Sequence, residues 1–288
     1  MDLTGEIVDE RVEPGSFHDS DPAVILPRVG ALARELVAAC ADDGMRVAGA
    51  RLALPGLVDG RTGLLQVAPN LGWSSIEPVP MLGLDGLHVE VANEAKLAGL
   101  AELTGEIASS FLYVSADVGI GAAVVVDRQL FLGERGWNGE IGHVVVDPAG
   151  PRCGCGALGC LEQYAGKEAV MRAAGLAADA PLETLVHALN ARSAQAEGAV
   201  RRASLALGSA LADFVNLVDV GTIVLGGAYT TLLPWMKDEV ASVLNDRVLS
   251  APFAPVELRA AMAGPYAAMA GGAREVLRDV LAAPADWV

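Results

Sequence analysis

The stretch Gly139-Glu140-Ile141-Gly142-His143-Val144-Val145-Val146-Asp147-Pro148-Ala149-Gly150-Pro151-Arg152-Cys153-Gly154-Cys155-Gly156-Ala157-Leu158-Gly159-Cys160-Leu161-Glu162 decides how the rest of this chain is read. It gathers three of the four cysteines, and His143 lies ten residues ahead of the first of them. Three thiolates and one imidazole are a complete tetrahedral donor set for zinc. One glycine separates Cys153 from Cys155, and four residues then precede Cys160. Glycine at that density lets a backbone wrap a small ion. With His143, Cys153, Cys155 and Cys160 all engaged no position stays open, so the expected zinc is structural. The bland alternative is a chance cluster of free thiols.

Outward from this loop, apolar runs alternate between strand and helix patterns. Phe111 to Val126 reads as two strands parted by Asp117-Val118-Gly119. Arg201 to Asp219 reads as a long apolar helix and Thr222 to Leu225 as a buried strand. Helices follow near Leu232 to Leu244 and Ala268 to Leu281, with a strand around Val256 to Met262. Upstream, Asp21-Pro22 starts a helix running to about Cys40, because proline suits the first helical position. Val47 to Leu54 is a strand stopped by Pro55-Gly56, and Asn93 to Thr104 a short helix. Leu3 to Val12 reads as strand, Thr4-Gly5 turn and strand. It opens inside the second half of a hairpin, which leads us to expect an upstream part or a raw sheet edge. The alternation predicts an α/β architecture. A composition shift at Ser109-Ser110 suggests a first lobe over 1–108 and a second over 109–267, with the helix at about 268–288 packing back on the first.

Bulk properties exclude several classes. The chain has 288 residues, 52% hydrophobic, and a formal net charge of −16. A surface so acidic repels nucleic-acid phosphates and anionic membranes, so this chain alone is not expected to bind either. The first residues lack an apolar signal segment, and no run reaches the roughly 20 apolar residues of a membrane helix. A reducing, cytoplasmic setting is the expectation.

The signature Gly139-Glu140-Ile141-Gly142-His143, followed by Cys-Gly-Cys-Gly and then Gly159-Cys160-Leu161-Glu162, resembles that of the ROK family (repressors, open reading frames, kinases). Weaker family-like segments are Leu54-Pro55-Gly56-Leu57-Val58, Pro69-Asn70-Leu71-Gly72-Trp73, Val91-Ala92-Asn93-Glu94-Ala95 and Ile223-Val224-Leu225-Gly226-Gly227. The resemblance implies an α/β, actin-like ATPase (ribonuclease H-like) fold of two lobes with a cleft, here N-terminally truncated. Its kinases phosphorylate hexoses or N-acetylhexosamines with ATP and Mg2+, and its repressors carry an additional N-terminal helix-turn-helix. The sugar-binding residues it implies are Asn70, Asn93, Glu140, His143 and Glu162. Carboxylates and amides pair naturally with hydroxyls that both donate and accept. Residue by residue, Asn93 also reads as a helix cap, Asn70 as a turn residue and Glu162 as a surface acid. The family commonly assembles, so a homodimer or homotetramer is expected.

The phosphate side departs from the family. The base position of its Glu-Asn-Asp-like motif falls on Glu94, a methylene longer than Asp, with Lys96 nearby. Glu94 also reads as a first-turn acid that suits the helix dipole. The family's Gly-Thr-Gly-x-Gly turn falls on Ser115 to Gly121, which places Asp117 beside Gly119 and Gly121. Gly226 and Gly227 match the second nucleotide turn that the resemblance implies, though a Gly-Gly after a strand also suits any tight strand-to-helix connection. The expected function is therefore a sugar-sensing effector domain of a transcriptional regulator that binds a hexose or N-acetylhexosamine without phosphorylating it. The alternative is an ATP-dependent sugar kinase, of glucokinase or N-acetylhexosamine kinase type, with Glu94 as base.

Overall fold

The structure, a computed structural model, describes all residues except 14, 16, 104–106, 118 and 288, and leaves the side chains of 286 and 287 undescribed. The chain forms two compact units. The first comprises Met1–Thr104, Leu132–Asn138 and Tyr266–Val288, and the second Gly105–Phe131 and Gly139–Pro265.

In the first unit, helix α1 (Pro22–Asp42) begins where the Asp21 carboxylate accepts from the Ala23 amide, with proline at the first position. Strand β1 (Gly49–Leu54) pairs in parallel with β5 (His88–Asn93), in register from Gly49↔His88 to Leu54↔Asn93. Between them an antiparallel sheet is made by β2 (Leu57–Val58), β3 (Leu65–Ala68) and β4 (Trp73–Ile76), followed by the short helix α2 (Pro78–Leu82). Leu26, Leu54, Leu65, Trp73 and Leu82 fill this core. Strand β5 passes directly into α3 (Glu94–Ala101), and α9 (Ala267–Ala282) packs on α3 and β1.

Two local features seat α9. The helices α3 and α9 approach so closely that a Cβ on Gly271 would lie 1.8 Å from the Leu97 carbonyl oxygen. Arg51 of β1, with 9% of its side chain exposed, pairs with Glu90 of β5 and with Glu275 (3.3 Å) and Asp279 (2.5 Å) of α9. A cation this buried is tolerable only when so paired. Arg274 also donates to the Ala101 carbonyl at 2.5 Å, closing the C-terminal end of α3.

The second unit is built on a five-stranded sheet in the order β10-β9-β6-β7-β8. These strands are β6 (Phe111–Ala116), β7 (Ile120–Val126), β8 (Gln129–Leu130), β9 (Thr222–Gly227) and β10 (Glu257–Ala260). The pairs β10–β9 and β9–β6 are parallel, and β6–β7 and β7–β8 antiparallel. Helices α4 (Glu162–Ala165), α5 (Lys167–Ala173), α6 (Leu182–Asn190), α7 (Ala194–Val218) and α8 (Ala228–Arg247) accompany it. Leu112, Val114, Ile223 and Leu225 from the central strands meet Leu207, Leu211, Met236 and Val240 from the long helices in one core.

Most expected elements form, with shifted ends. Helix α7 starts at Ala194 instead of Arg201, because Ser193 accepts from the Ala196 amide and caps it early. The strands expected within Leu3 to Val12 do not form. The turn at Thr4-Gly5 is present, tied by the Asp2 carboxylate to the Thr4 and Glu6 amides, but residues 6–12 join no sheet among the described residues. A strand needs a neighbour to satisfy its amides, and here Ile7 and Val12 stay exposed.

The contact at Gly271 gives a stability test. We expect Gly271→Ala to cost about 1–3 kcal/mol through overpacking. Gly198, inside α7 with nothing near its would-be Cβ, should instead gain up to about 1 kcal/mol as alanine. Thermal melts of the two variants read opposite shifts.

Candidate functional site

The loop after β8 returns to the second unit at Gly139 and reaches a short 3-10 turn, Ile141–His143, beginning just after Glu140. From there the chain makes a small hairpin. Val145 bridges Cys160 and Arg152 bridges Leu158. Val146 donates to Gly159 at 2.9 Å, and Leu161 to Val144 at 2.8 Å. Gly159 is required at its place, since its φ is +70° and a Cβ would fall 1.6 Å from the Asp147 carbonyl oxygen. The Tyr164 hydroxyl donates to the Asp147 carboxylate at 2.9 Å and fastens the hairpin to α4.

This folding brings one ligand atom from each of His143, Cys153, Cys155 and Cys160 within 4.8 Å of one another. Cys155 Sγ lies 3.6 Å from Cys160 Sγ, and Cys153 Sγ 3.7 Å from His143 Nδ1. A tetrahedral ion with bonds of roughly 2.3 Å to sulfur and 2.0 Å to nitrogen would set these edges at about 3.8 and 3.5 Å. The donor set therefore fits a thiophilic metal ion. Burial pushes the Cys160 thiol up to about 12, reinforced by the neighbouring Cys155 and Cys153. Burial likewise raises Cys153. Burial also acts upward on Cys155, but the Ala157 amide and the two other thiols outweigh it and lower that group. A metal on Nδ1 of His143 leaves the proton on Nε2, which makes that nitrogen a donor.

The two acidic residues of the signature stand at the ends of this loop. Glu140 stands at the head of the 3-10 turn, its carbonyl accepting from the His143 amide at 3.0 Å. Glu162, half-buried, is the first residue of α4, with Oε1 3.9 Å from Cys153 Sγ. Helix α4 is itself held where the buried Tyr229 hydroxyl donates to the Ala165 carbonyl at 3.0 Å. The second unit thus gathers Glu140, His143 and Glu162 around one loop.

The remaining expected residues of the sugar site lie in the first unit. Asn70 sits in the β3–β4 turn, half-buried, its carbonyl accepting from Asp19. Asn93 caps α3, with Oδ1 accepting from the Ala95 and Lys96 amides at 2.9 and 3.2 Å. Its Nδ2 donates to the Gly56 carbonyl at 2.9 Å, leaving one amide hydrogen for other use. Glu94 is exposed in the first turn of α3. Sequence reasoning gave Lys96 no structural role. It is buried, and its ammonium donates to the Gly136 carbonyl, pinning Leu132–Asn138 onto this unit. Only an unusual residue type for a buried first-turn position could have signalled it.

In the second unit, β6 and β9 run parallel and end side by side at Ala116↔Gly227. Their carboxyl ends continue into the turn before β7 and into α8, and Gly119, Gly121, Gly226 and Gly227 lie there. Crevices at the carboxyl ends of parallel strands are where such sheets bind ligands. Here Asp117 occupies that edge. Both its carboxylate oxygens lie 3.0 Å from where a Cβ on Gly227 would stand. Burial raises its carboxyl above the ordinary range, and the Lys167 ammonium pulls the other way.

Mixed α/β architecture of this kind is that of the actin-like ATPases, the class of the sugar kinases that resemble it. The chain belongs to the ROK family, whose sequence profile matches residues 26–278. It is 30% identical to the ROK hexokinase of Thermus thermophilus, covering 88% of this chain and 87% of that one with a TM-score of 0.73. A ROK family transcriptional regulator, described as a homologue of the E. coli MLC protein, is 25% identical with a TM-score of 0.82, over 97% of this chain and 74% of the regulator. The xylose repressor of Caldicellulosiruptor bescii is 24% identical over 261 residues, which span 83% of this chain and 64% of the repressor. Regulators and kinases both stand among its relatives. Among the described residues no helix is long and apolar enough to cross a membrane.

The thiols set a pH dependence. Free of metal, folded Cys160 keeps its proton up to about 12, while an unfolded thiol releases it near 9.0. Between those values the folded state binds more protons, so stability falls as pH rises through that window. With one equivalent of zinc the ligands are thiolates, and metal affinity should instead climb between about pH 6 and 8. Denaturant melts of stripped and loaded protein check both signs.

Proposed function

We propose that this chain is a sugar-binding sensor that holds a hexose or N-acetylhexosamine without phosphorylating it, with one structural zinc ion in the Cys/His loop. The observation that carries the reading is Asp117. It sets a carboxylate at the carboxyl ends of β6 and β9, against Gly227, where a nucleotide's phosphates would approach. Like charge there opposes polyphosphate unless a metal intervenes. The opposite face of the chemistry has no such obstacle. Glu140 and Glu162 supply acceptors, and His143 supplies an Nε2–H fixed by the zinc on its other nitrogen. The zinc would be held by His143, Cys153, Cys155 and Cys160 and would supply orientation only, since four protein ligands leave no place for substrate. Relatives that include a xylose repressor and a transcriptional regulator support the sensing role, and a cytoplasmic setting goes with it.

A kinase that uses Glu94 as base is the second reading, favoured by the identity shared with the Thermus thermophilus hexokinase. The two separate in one assay. With ATP, Mg2+ and D-glucose, D-xylose or N-acetyl-D-glucosamine, we expect binding heat for at least one sugar and no sugar phosphate. Robust turnover that Glu94→Gln abolishes would replace the sensor by the kinase. Glu140→Ala should remove sugar binding and retain the zinc; loss of both would show that Glu140 serves the loop and not the sugar.

A further inference from the structure

The metal centre has an uneven surface. Cys153 and Cys160 are buried, whereas Cys155 is exposed. Cys160 is fixed by the hairpin, bridging Val145 and followed by Leu161, which donates to Val144. Cys155 sits between Gly154 and Gly156, neither of which has a heavy atom within 4 Å of its would-be Cβ. An exposed cysteine thus sits on a loop with room to move, its Sγ 3.6 Å from that of a second cysteine that is anchored. The fourth cysteine, Cys40 in α1, belongs to the other unit and is not part of the cluster.

We infer that Cys155 is an oxidation site, and that its disulfide with Cys160 expels the metal and frees His143. The oxidant is a hydroperoxide. The Cys155 thiolate attacks one peroxide oxygen; the S–O bond forms, the O–O bond breaks, and hydroxide or alkoxide leaves. The Cys160 thiolate then attacks the Cys155 sulfur; the S–S bond forms and the S–O bond breaks, releasing a second hydroxide. Two thiolates have lost two electrons, the peroxide has gained them, and both leaving groups take up protons from the buffer to become water or an alcohol. The metal retains Cys153 and His143 alone, half of the set it requires. It departs, and the His143 ring loses the partner on Nδ1 that fixed its Nε2 proton. Cys155 is the point of entry because attack needs an accessible sulfur. Cys160 is the expected partner because its Sγ lies 3.6 Å from that of Cys155 and the hairpin holds it in place. The consequence for sugar affinity rests on the sensor reading; the oxidation itself does not.

The experiment uses the zinc-loaded full chain with Cys40→Ala as background. Hydrogen peroxide is added in small excess, released zinc is followed with a chromogenic chelator, and the disulfide is located by peptide mass mapping. We expect one zinc released per disulfide formed, a Cys155–Cys160 link, and glucose or other sugar affinity weakened about tenfold or more. Dithiothreitol with zinc should restore both. Zinc retained while thiols are consumed, or a link that omits Cys155, overturns the proposal. Zinc released with unchanged sugar affinity overturns the coupling to His143. Since the sensor reading is judged beforehand by sugar binding to untreated protein, its failure is seen separately from the release and mapping results. Cys155→Ala supplies a second control, in which peroxide should form no disulfide within the loop even where zinc binds more weakly.

Discussion

Four ligand atoms held within 4.8 Å of one another are the constraint on which the functional half of this chain rests. Burial makes ionisation costly for two of the three thiols, raising Cys160 to about 12 and raising Cys153 as well, while the Ala157 amide and the neighbouring thiols lower Cys155. A cation reverses that cost, because the thiolate is the form that binds it. The hairpin that brings them together is closed by backbone hydrogen bonds and by a glycine whose conformation excludes other residues. Its two ends are the places that matter. One is the 3-10 turn with Glu140 and His143, the other the start of α4 with Glu162. A metal ion held by this loop would therefore fix the placement of these residues as well.

The first unit solves a different problem. Its parallel pair β1 and β5 is short, and α3 springs directly from the end of β5. What holds this junction is the last long helix of the chain. Helix α9 presses against α3 through Gly271 and locks to β1 and β5 through Arg51, whose three carboxylate partners come from two elements. The start of α3 is set in turn by Asn93, whose amide spans to Gly56 as well as to its own helix. A residue expected to meet a ligand thus also holds its own local structure together. Lys96, one turn on, extends the same support to Leu132–Asn138.

How much of this was legible depends on how local each signal is. The Cys/His cluster could be read because His143, Cys153, Cys155 and Cys160 fall within eighteen residues of sequence, and the structure brings their donor atoms together. Helix α1 could be read from Asp21-Pro22, and β6 and β7 from their apolar runs around Asp117. The small sheet of β2, β3 and β4 was not read, since its strands are of two to four residues and carry no period. Leu3 to Val12 shows the opposite error. Its pattern favours strand, but a strand's amides need a partner, which the pattern does not supply. The second use of Asn93 and the burial of Lys96 depend on Gly56 and Gly136, each about 40 residues distant in sequence. No local pattern carries that.

Asp117 brings these threads to the functional question. Strand β6, which Asp117 follows, and its neighbour β9 keep a continuous parallel register and are largely buried, so a carboxyl group at this end leaves the sheet intact. Its effect on a ligand is another matter. A carboxylate about 4 Å from one phosphate charge, at an effective dielectric near 20, opposes it by about 4 kcal/mol. That is roughly a thousandfold in affinity. Lys167 offsets part of this, yet burial dominates the Asp117 environment. Burial disfavours the charged form but leaves a carboxyl group filling the same space beside Gly227. Whether charged or neutral, the group stands beside Gly227, where the proposed reading sets it against an incoming phosphate. One side chain at a turn can in this way separate sugar recognition from phosphoryl transfer while the sheet beneath both stays the same.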